Sequence, residues 1–257
     1  MTLRSAVVAA QFLTRVPLSR RAVEQHELAH AVAYFPLIGA LVGAAVAGTI
    51  AAATPLLGLD VAIVAGLVFG ALLTGAFHED GLADACDGLG GGVTRERALE
   101  IMRDSRIGSY GAVALILLFA ARFTLFRTLG VAQLLLALPV VSALGRASGV
   151  ALMAWLPNAR NEGMADDVAR SLGRGTIAAA MATPLIIAAV LSGIAAALLV
   201  AAAIAVTAAA AFYLRRRLGG ITGDCLGAVN VVVEVTTLTC AVAWTRMFAP
   251  LGVLQWP

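Results

Sequence analysis

Charged side chains are scarce in this chain of 257 residues: they make up 13% of it, whereas 61% of its residues are hydrophobic. Soluble domains are nearer one quarter charged and one half apolar. A soluble fold of this length would have too small an interior for so much apolar sequence. The composition therefore predicts an integral membrane protein.

Lysine is absent, so each of the 18 basic residues is arginine. We attribute this to GC-rich coding and draw no functional conclusion from it. The net charge of +3 is typical of membrane proteins with arginine in their cytoplasmic loops, so no nucleic-acid partner is expected. The three cysteines (Cys86, Cys225 and Cys240) form no CxxC pair, which predicts neither a disulfide framework nor a zinc site.

Apolar runs long enough to cross a bilayer recur along the whole chain. They are residues 32–54, 61–77, 110–126, 131–156, 176–214 and 226–248. The run 176–214 is twice too long for one helix, and we divide it near Ser192-Gly193. The sequence thus predicts an all-α bundle of about seven transmembrane helices, forming a single domain over residues 1–257. Small residues at four-residue spacing, as at Gly39 and Gly43, predict close helix packing.

The distribution of arginine predicts the orientation of these spans. With the N-terminus in the cytoplasm, 14 of the 18 arginines fall in inside segments, among them Arg170, and the loop 55–60 and the tail 250–257 carry none. Arg122, Arg127, Arg146 and Arg246 lie within or at the ends of spans. Arg146 sits at membrane depth, where it either binds a substrate phosphate or pairs with an acid.

The segment His78-Glu-Asp-Gly-Leu-Ala-Asp-Ala-Cys-Asp-Gly-Leu-Gly-Gly-Gly92 begins where the second span ends. On a helix, Asp80, Asp84 and Asp87 fall within about 60° of one another. Three carboxylates on one stripe repel each other unless a cation neutralises them. Mg²⁺ favours such oxygen ligands and can orient a diphosphate, so we expect it as cofactor. The alternative is a solvated acidic helix start.

Two further polar segments are expected near this acidic stripe. After a short helix capped by Thr94 comes Arg103-Asp-Ser-Arg106, in which the two arginines grip phosphate oxygens or contact lipid headgroups. Asp104 is a further metal ligand or a base, and Ser105 and His78 are candidates for substrate binding. A second patch, of Asp224, Asn230 and Glu234, begins the last span and can converge on the same site.

The residues His26-Glu27-Leu28-Ala29-His30 match the HExxH pattern of zinc proteases. With Asp80 as a third ligand they would indicate an intramembrane metalloprotease. The motif precedes the first span instead of lying in an apolar helix, which favours a surface amphipathic turn.

Five segments in order carry a resemblance to a known family. They are Phe12-Leu-Thr-Arg-Val-Pro17, Tyr34-Phe-Pro-Leu-Ile-Gly39, the acidic segment 78–92, Leu99-Glu-Ile-Met-Arg-Asp-Ser-Arg-Ile-Gly-Ser-Tyr-Gly111 and Gly220-Ile-Thr-Gly-Asp-Cys-Leu-Gly-Ala228. On these segments the chain resembles the cobalamin synthase family, the adenosylcobinamide-GDP ribazoletransferases. One departure is Glu79, where an apolar residue is expected.

The resemblance implies the last assembly step of the cobalamin nucleotide loop. A ribose hydroxyl of α-ribazole, or of its 5′-phosphate, would attack the cobinamide-linked phosphorus of adenosylcobinamide-GDP, and GMP would leave. Such a Mg²⁺-dependent transferase would lie in the bacterial inner membrane with its active site facing the cytoplasm. The resemblance leaves room for a homo-oligomer or for contacts with other corrinoid-pathway enzymes.

In this scheme each polar group has an expected role. Asp80, Asp84 and Asp87 hold Mg²⁺ on the diphosphate, and Asp104 is a fourth ligand or the base. Arg103 and Arg106 neutralise the leaving GMP. Asp224, Asn230 and Glu234 complete the polar wall of the site.

Two alternatives come from other classes of protein. CDP-alcohol phosphotransferases share the membrane setting and an Asp-Gly start, but their pattern continues with Ala-Arg, whereas here Ala83 is followed by Asp84. A cation transporter using Glu234 and Arg146 would need acids spread along a path through several spans. The acids of this chain are instead expected to gather at one face, which favours catalysis.

Overall fold

The computed structural model describes residues 2–21, 23–160 and 171–248. Arg170 and the tail 250–257, both used in the topological argument, lie outside these residues. The described chain is almost wholly helical, with one isolated parallel bridge between Asn158 and Ile221. This confirms the predicted helical class.

Ten α-helices and one short 3-10 helix occur in the described residues. They are α1 (Leu3–Leu13), α2 (Gln25–Ala31), the 3-10 helix Val32–Tyr34, α3 (Phe35–Leu57), α4 (Leu59–Thr74), α5 (Phe77–Gly91), α6 (Arg95–Ile101), α7 (Ser109–Trp155), α8 (Arg174–Ser192), α9 (Ala195–Leu218) and α10 (Gly223–Phe248).

The 47-residue helix α7 is in fact two helices that fold back on each other. Gly130 breaks it with a φ of 72°, a backbone conformation that glycine adopts without steric cost. Arg122 and Arg146 lie on opposite sides of this break and both donate to Glu234. On one straight helix, 24 residues would separate them by about 36 Å. The chain therefore reverses at Gly130, as the separate spans 110–126 and 131–156 predict.

Five described helices are long and apolar enough to cross a membrane, and a sixth span arises if the bent pair α4 and α5 is counted as one. Counting the two halves of α7 separately brings the number to the predicted seven. The predicted division of 176–214 is also confirmed, since α8 ends at Ser192 and Gly193 has a φ of 51°.

The boundaries of the second span differ from those predicted. The loop expected at 55–60 shrinks to a turn at Gly58, and α4 already ends at Thr74 instead of 77. Gly75 and Ala76 are both left-handed, with φ of 67° and 55°, and the chain bends by 86° into α5. Phe77 therefore begins the acidic helix. An apolar run alone does not reveal such a bend, because both helices are rich in small apolar residues.

Small residues allow the close helix packing that the sequence predicts. A Cβ on Gly43 would lie 2.3 Å from the carbonyl oxygen of Leu138, so α3 touches the backbone of α7 there. A Cβ on Gly39 would likewise lie 2.6 Å from the carbonyl oxygen of Ser142, so α3 is close to α7 there too. Helix α5 lies between α10 and the first half of α7, where Leu82 packs with Leu118 and Val231.

Arginines bind the connecting segments together at one end of the bundle. The Arg95 guanidinium donates to the carbonyl oxygens of Leu218 (2.7 Å) and Ala159 (2.6 Å), and Arg217 donates to the carbonyl oxygen of Gly92. The segments after α5, α7 and α9 therefore meet on the same side, as the arginine distribution predicts for the cytoplasmic side.

Candidate active site

Acidic side chains from two helices meet at this end of the bundle. Asp80 and Asp84 lie on α5, and Asp224 opens α10. The carboxylates of Asp80, Asp224 and Asp87 all act electrostatically on Asp84, and Arg160 opposes them. Asp80 is exposed, whereas Asp84 and Asp224 are half-buried. We call Asp80, Asp84 and Asp224 the acidic cluster.

A glycine contact brings the two helices close enough for this cluster to form. The Cβ of any side chain at Gly81 would lie 3.0 Å from the carbonyl oxygen of Asp224 and 3.2 Å from the Cα of Gly227. Because neither glycine has a side chain, α5 and α10 touch backbone to backbone. Asp80 and Asp84 on either side of Gly81 are thereby held against the first turn of α10.

Arg160 and Thr222 orient the Asp224 carboxylate. Arg160 donates from Nη2 to Oδ2 of Asp224 at 2.9 Å, and the Thr222 hydroxyl lies 3.2 Å from the same oxygen. Arg160 is placed there by the short bridge that pairs Asn158 with Ile221. The other oxygen of Asp224, Oδ1, takes no part in these two contacts.

Asp87 is buried and caps α7 from the side. Gly108, the N-cap residue of α7, has no side chain with which to satisfy the first backbone amides of the helix. The Asp87 carboxylate accepts hydrogen bonds from the amides of Gly108 (2.7 Å) and Gly111 (2.9 Å) instead. Of the three aspartates on the predicted stripe, Asp87 thus makes contacts that fix the start of α7, and the segment before it, against α5.

That segment carries the predicted phosphate-binding residues. Arg103, Ser105 and Arg106 are exposed. Arg106 donates to both oxygens of Asp104, at 2.6 Å from Nη2 to Oδ2. These hydrogen bonds from Arg106 lower the pKa of Asp104 to about 2. A carboxylate of such low proton affinity is a weak base near neutral pH.

A second layer of polar residues lies deeper in the bundle. Arg122 donates to Glu79 at 2.5 Å and to Glu234 at 2.8 Å, and Arg146 donates to the other oxygen of Glu234. Asn230 donates to Glu234 at 3.3 Å. We call these five residues the buried ion network. It contains two positive and two negative charges, and this balance is what makes it tolerable at membrane depth.

The network decides between the alternatives for Arg146 and divides the second polar patch. Arg146 pairs with an acid, Glu234, as one of the two alternatives states. Glu234 follows Asp224 by ten residues, which is about 15 Å along a helix. Asp224 therefore joins the acidic cluster, whereas Asn230 and Glu234 belong to the layer beneath it.

His78 lies between these layers and lines a cavity of about 320 Å³. The cavity is bounded by α1, α2, α3, the start of α5, the second half of α7 and the start of α10. Its lining is mostly apolar, with Phe12, Phe35 and Phe77 on one side, and His78, Arg146 and Asn230 supply its polar groups. His78 is buried and its ring packs edge-on against Phe77.

The donor set of the acidic cluster suits a hard cation. Within the described residues, no three His, Cys, Asp or Glu side chains converge closely enough to form a metal site alone. Mg²⁺ does not need three, because it usually takes one or two carboxylates and completes its shell with water and substrate phosphates. Two neighbouring aspartates with few compensating cations fit that mode of binding.

Comparison with known proteins identifies the family. The profile of the cobalamin-5-phosphate synthases matches residues 5–242. The chain belongs to this family. It is 40% identical to the adenosylcobinamide-GDP ribazoletransferase of Ralstonia nicotianae, over 94% of this chain and 96% of the relative. It is 42% identical to the enzyme of that name from Leptothrix cholodnii, over 89% and 90%. No solved structure matches the chain.

Membership of the cobalamin-5-phosphate synthase family confirms the resemblance and disfavours the alternatives. The geometry of the HExxH segment agrees with this. Glu27 binds Arg4 at 3.1 Å and completes a capping box with Glu24 at the start of α2. Its carboxylate is thus occupied with local structure. The side chain of His26 lies outside the described part of the chain.

Sequence reasoning missed several residues that shape the site in this member of the family. In the sequence, Arg160 serves only as one of the arginines that indicate the cytoplasmic side, although Arg160 forms an ion pair with Asp224. Thr222 lies within a segment that carried the resemblance, two residues before Asp224, and that spacing was the available clue. Glu79 was noted only as a departure from the family pattern. Its partner, Arg122, lies 43 residues away, and nothing in the sequence links the two.

Proposed function

We propose that the chain joins adenosylcobinamide-GDP to α-ribazole, or to α-ribazole 5′-phosphate, with release of GMP. The product is adenosylcobalamin or its 5′-phosphate. The observation that carries the proposal is the acidic cluster, with Arg160 beside it, at one end of a membrane bundle of this family. A diphosphate is the substrate group that such a site binds best, because a cation bound to the acids attracts its phosphates.

The transfer exchanges the phosphoanhydride bond of the diphosphate for a new phosphoester bond. A ribose hydroxyl of α-ribazole forms a new oxygen–phosphorus bond at the phosphorus attached to cobinamide. The bond from that phosphorus to the bridging oxygen breaks, GMP leaves with the bridging oxygen, and the hydroxyl proton passes to solvent or to a carboxylate. Chemistry of this kind depends mainly on positioning and on stabilisation of charge.

We assign Mg²⁺ as the cofactor, held by Asp80 and Asp84 with Asp224 beside them, where it would neutralise the diphosphate and stabilise the leaving phosphate. Arg160 orients Asp224 through its hydrogen bond to Oδ2. Asp87, first expected among the metal ligands, positions the segment 102–108 through its hydrogen bonds to α7. It thereby fixes the start of α7 and the segment before it, which carries Arg103 and Arg106.

Arg103 and Arg106 contact the phosphates of the leaving nucleotide in this proposal. Both are exposed, and Arg106 is held by Asp104 until a competing anion arrives. Because the pKa of Asp104 is about 2, we assign it the role of holding Arg106 or of binding the cation, not that of general base. In this proposal the protein lies in the inner membrane of a bacterium, and the acidic cluster faces the cytoplasm.

A transferase assay on purified protein in liposomes tests the function. Adenosylcobinamide-GDP, α-ribazole and Mg²⁺ are supplied, and GMP release and the cobalamin spectrum are followed. We expect EDTA to abolish product formation and Asp84→Asn to lower kcat by about 100-fold or more. The matched control is Asp60→Asn, which removes an exposed carboxylate paired with Arg127 at the other end of α4. Full activity in Asp84→Asn would refute the assignment of the cluster.

A further inference from the structure

We propose that the cavity of about 320 Å³ behind the acidic cluster binds the benzimidazole base of α-ribazole. This inference rests on the proposed function and adds to it the place where the second substrate binds. Three features of the cavity carry it: its apolar aromatic lining, an unpartnered donor in its wall, and its position next to the acidic cluster.

The lining suits a flat apolar ring. Phe12 and Phe35 stack on each other with ring centroids 5.3 Å apart, and Phe77 packs edge-on against Phe12 at 5.6 Å. Leu28, Met153 and Val150 complete the apolar surface. Small-molecule sites have volumes of about 300–1,000 Å³, so this cavity lies at the small end of the range and suits one bicyclic ring.

Arg146, a residue of the cavity wall, carries a buried hydrogen-bond donor that the protein itself does not use. Arg146 is 7% exposed, and its Nε has no hydrogen-bond partner among the described residues. A buried donor without an acceptor is costly, which points to a ligand that supplies one. In α-ribazole one ring nitrogen carries the ribose and the other is a free acceptor. That second nitrogen is the natural partner for Arg146.

The position of the cavity connects the base to the reacting group. In the sequence His78 precedes Asp80 by two residues and Gly223 precedes Asp224 by one, and both His78 and Gly223 lie in the cavity wall. Gly227, also in the wall, touches Gly81 between Asp80 and Asp84. A base seated in the cavity therefore places the attached ribose toward the acidic cluster, where its hydroxyl has to meet the diphosphate.

The other rings of the reaction fit less well. Guanine carries several donors and acceptors along its edge, and burying them against Phe12, Phe35 and Leu28 would leave them unsatisfied. The corrin ring is far larger than the cavity. A lipid acyl chain matches the apolar lining but brings no acceptor for Arg146.

Gly149 allows the cavity to be filled without disturbing the fold. It lies in the cavity wall on α7, and a Cβ added there meets no atom within 4 Å. Gly149→Leu therefore places its side chain in the space assigned to the base. Gly48→Leu is the matched control, since Gly48 also lies in a long apolar helix, has equally open space around its Cβ, and is not in the cavity wall.

The kinetics of these variants and the binding of α-ribazole by equilibrium dialysis test the proposal. In Gly149→Leu we expect the KM for α-ribazole and its dissociation constant to rise by about tenfold or more, with the KM for adenosylcobinamide-GDP unchanged. Gly149→Ala should show a smaller rise, and Gly48→Leu none. Free 5,6-dimethylbenzimidazole should compete with α-ribazole in the wild-type protein and lose potency in Gly149→Leu.

The outcomes separate this inference from the proposed function. If the wild-type protein forms product and Gly149→Leu binds α-ribazole normally, the cavity is not the base site, and a lipid chain is its better occupant. If the wild-type protein forms no product, the proposed function fails; unimpaired binding by Gly149→Leu would then overturn this inference too. If Gly149→Leu does not fold, an unchanged dissociation constant in Gly149→Ala, with no competition by 5,6-dimethylbenzimidazole, overturns the inference.

Discussion

The role of a single charged side chain in this protein depends more on its partners than on its residue type. Glu79 and Arg122 are both rare residues for their positions, one beside a predicted acidic site and one within a span. They form an ion pair with 2.5 Å between Nη1 of Arg122 and Oε1 of Glu79, so each charge is compensated by the other. The buried ion network is therefore neutral, and its stability depends on that balance more than on any single pair.

Removing one charge of the network tests this balance. Arg122→Leu leaves Glu79 without a partner and gives the network a net negative charge. We expect it to lower the free energy of unfolding by about 3–5 kcal/mol. The double variant Glu79→Leu with Arg122→Leu keeps the neutral pair of Arg146 and Glu234, and we expect it to recover most of that loss. The free energies are measured by denaturant unfolding in detergent micelles.

Additive effects of the two substitutions would contradict this account. They would mean that Glu79 and Arg122 stabilise the protein independently, since interacting residues show a coupling free energy in a double-mutant cycle and independent residues do not.

At the scale of helices, the site depends on how α5 meets its two neighbours. Against α7, Asp87 satisfies two backbone amides that the glycine-rich start of α7 leaves open. Against α10, Gly81 and Gly227 bring the backbones into contact. The first contact positions the arginine-bearing segment, and the second assembles the acidic cluster. Each of these two helix contacts can be tested by a single substitution.

Loss of the Asp87 carboxylate should weaken the start of α7. Asp87→Ala leaves the amides of Gly108 and Gly111 without an acceptor in a buried place, so we expect a loss of about 1–3 kcal/mol in the free energy of unfolding. Asp104→Ala is the control, because it removes a carboxylate of the same region that, within the residues that the structure describes, is hydrogen-bonded only to the exposed Arg106, so the free energy of unfolding should change much less than in Asp87→Ala. Equal effects of the two would refute the capping role.

Separating α5 from α10 should slow the transfer strongly while the protein still folds. In Gly81→Val the side chain meets the carbonyl oxygen of Asp224, so the helices move apart and the acidic cluster opens. We expect a fall in kcat of about 100-fold. Gly91→Val, on the same helix, meets only the end of the Ile101 side chain at 3.5 Å and should retain activity. Normal turnover in Gly81→Val would show that the close contact is not needed.

At the scale of the whole molecule, the reversal at Gly130 determines which groups share a side of the membrane. It returns the chain so that the segment 102–108 and the segment 157–160 lie at the same end as the start of α10. Asp60, in the first turn of α4, pairs with Arg127, just before the break at Gly130. This pair marks the end of the bundle opposite to the acidic cluster. The bundle thus has one end that carries the acidic cluster and many arginine contacts, and a second end formed by short turns.

Labelling of single cysteines tests this arrangement and its orientation. In a background without the native cysteines, Ser105→Cys should react with a membrane-impermeant maleimide in inverted inner-membrane vesicles and Asp60→Cys in intact spheroplasts. The expectation follows from the excess of arginine on the cytoplasmic side. Reaction of both positions from the same side would contradict the two-ended bundle, and exchanged reactivities would contradict the orientation.

The sequence by itself determined the membrane class, the number of spans and the aspartates of the acidic helix. Apolar runs and helical spacing depend on neighbours along the chain, and so does the division at Ser192-Gly193, which the structure confirms. Tertiary structure alone decided that Asp87 caps α7, that Asp224 joins Asp80 and Asp84, and that Arg122 balances Glu79. Those pairings depend on the 86° bend before α5 and the reversal at Gly130. Contacts between residues distant in sequence follow from such changes of direction, which local composition does not encode.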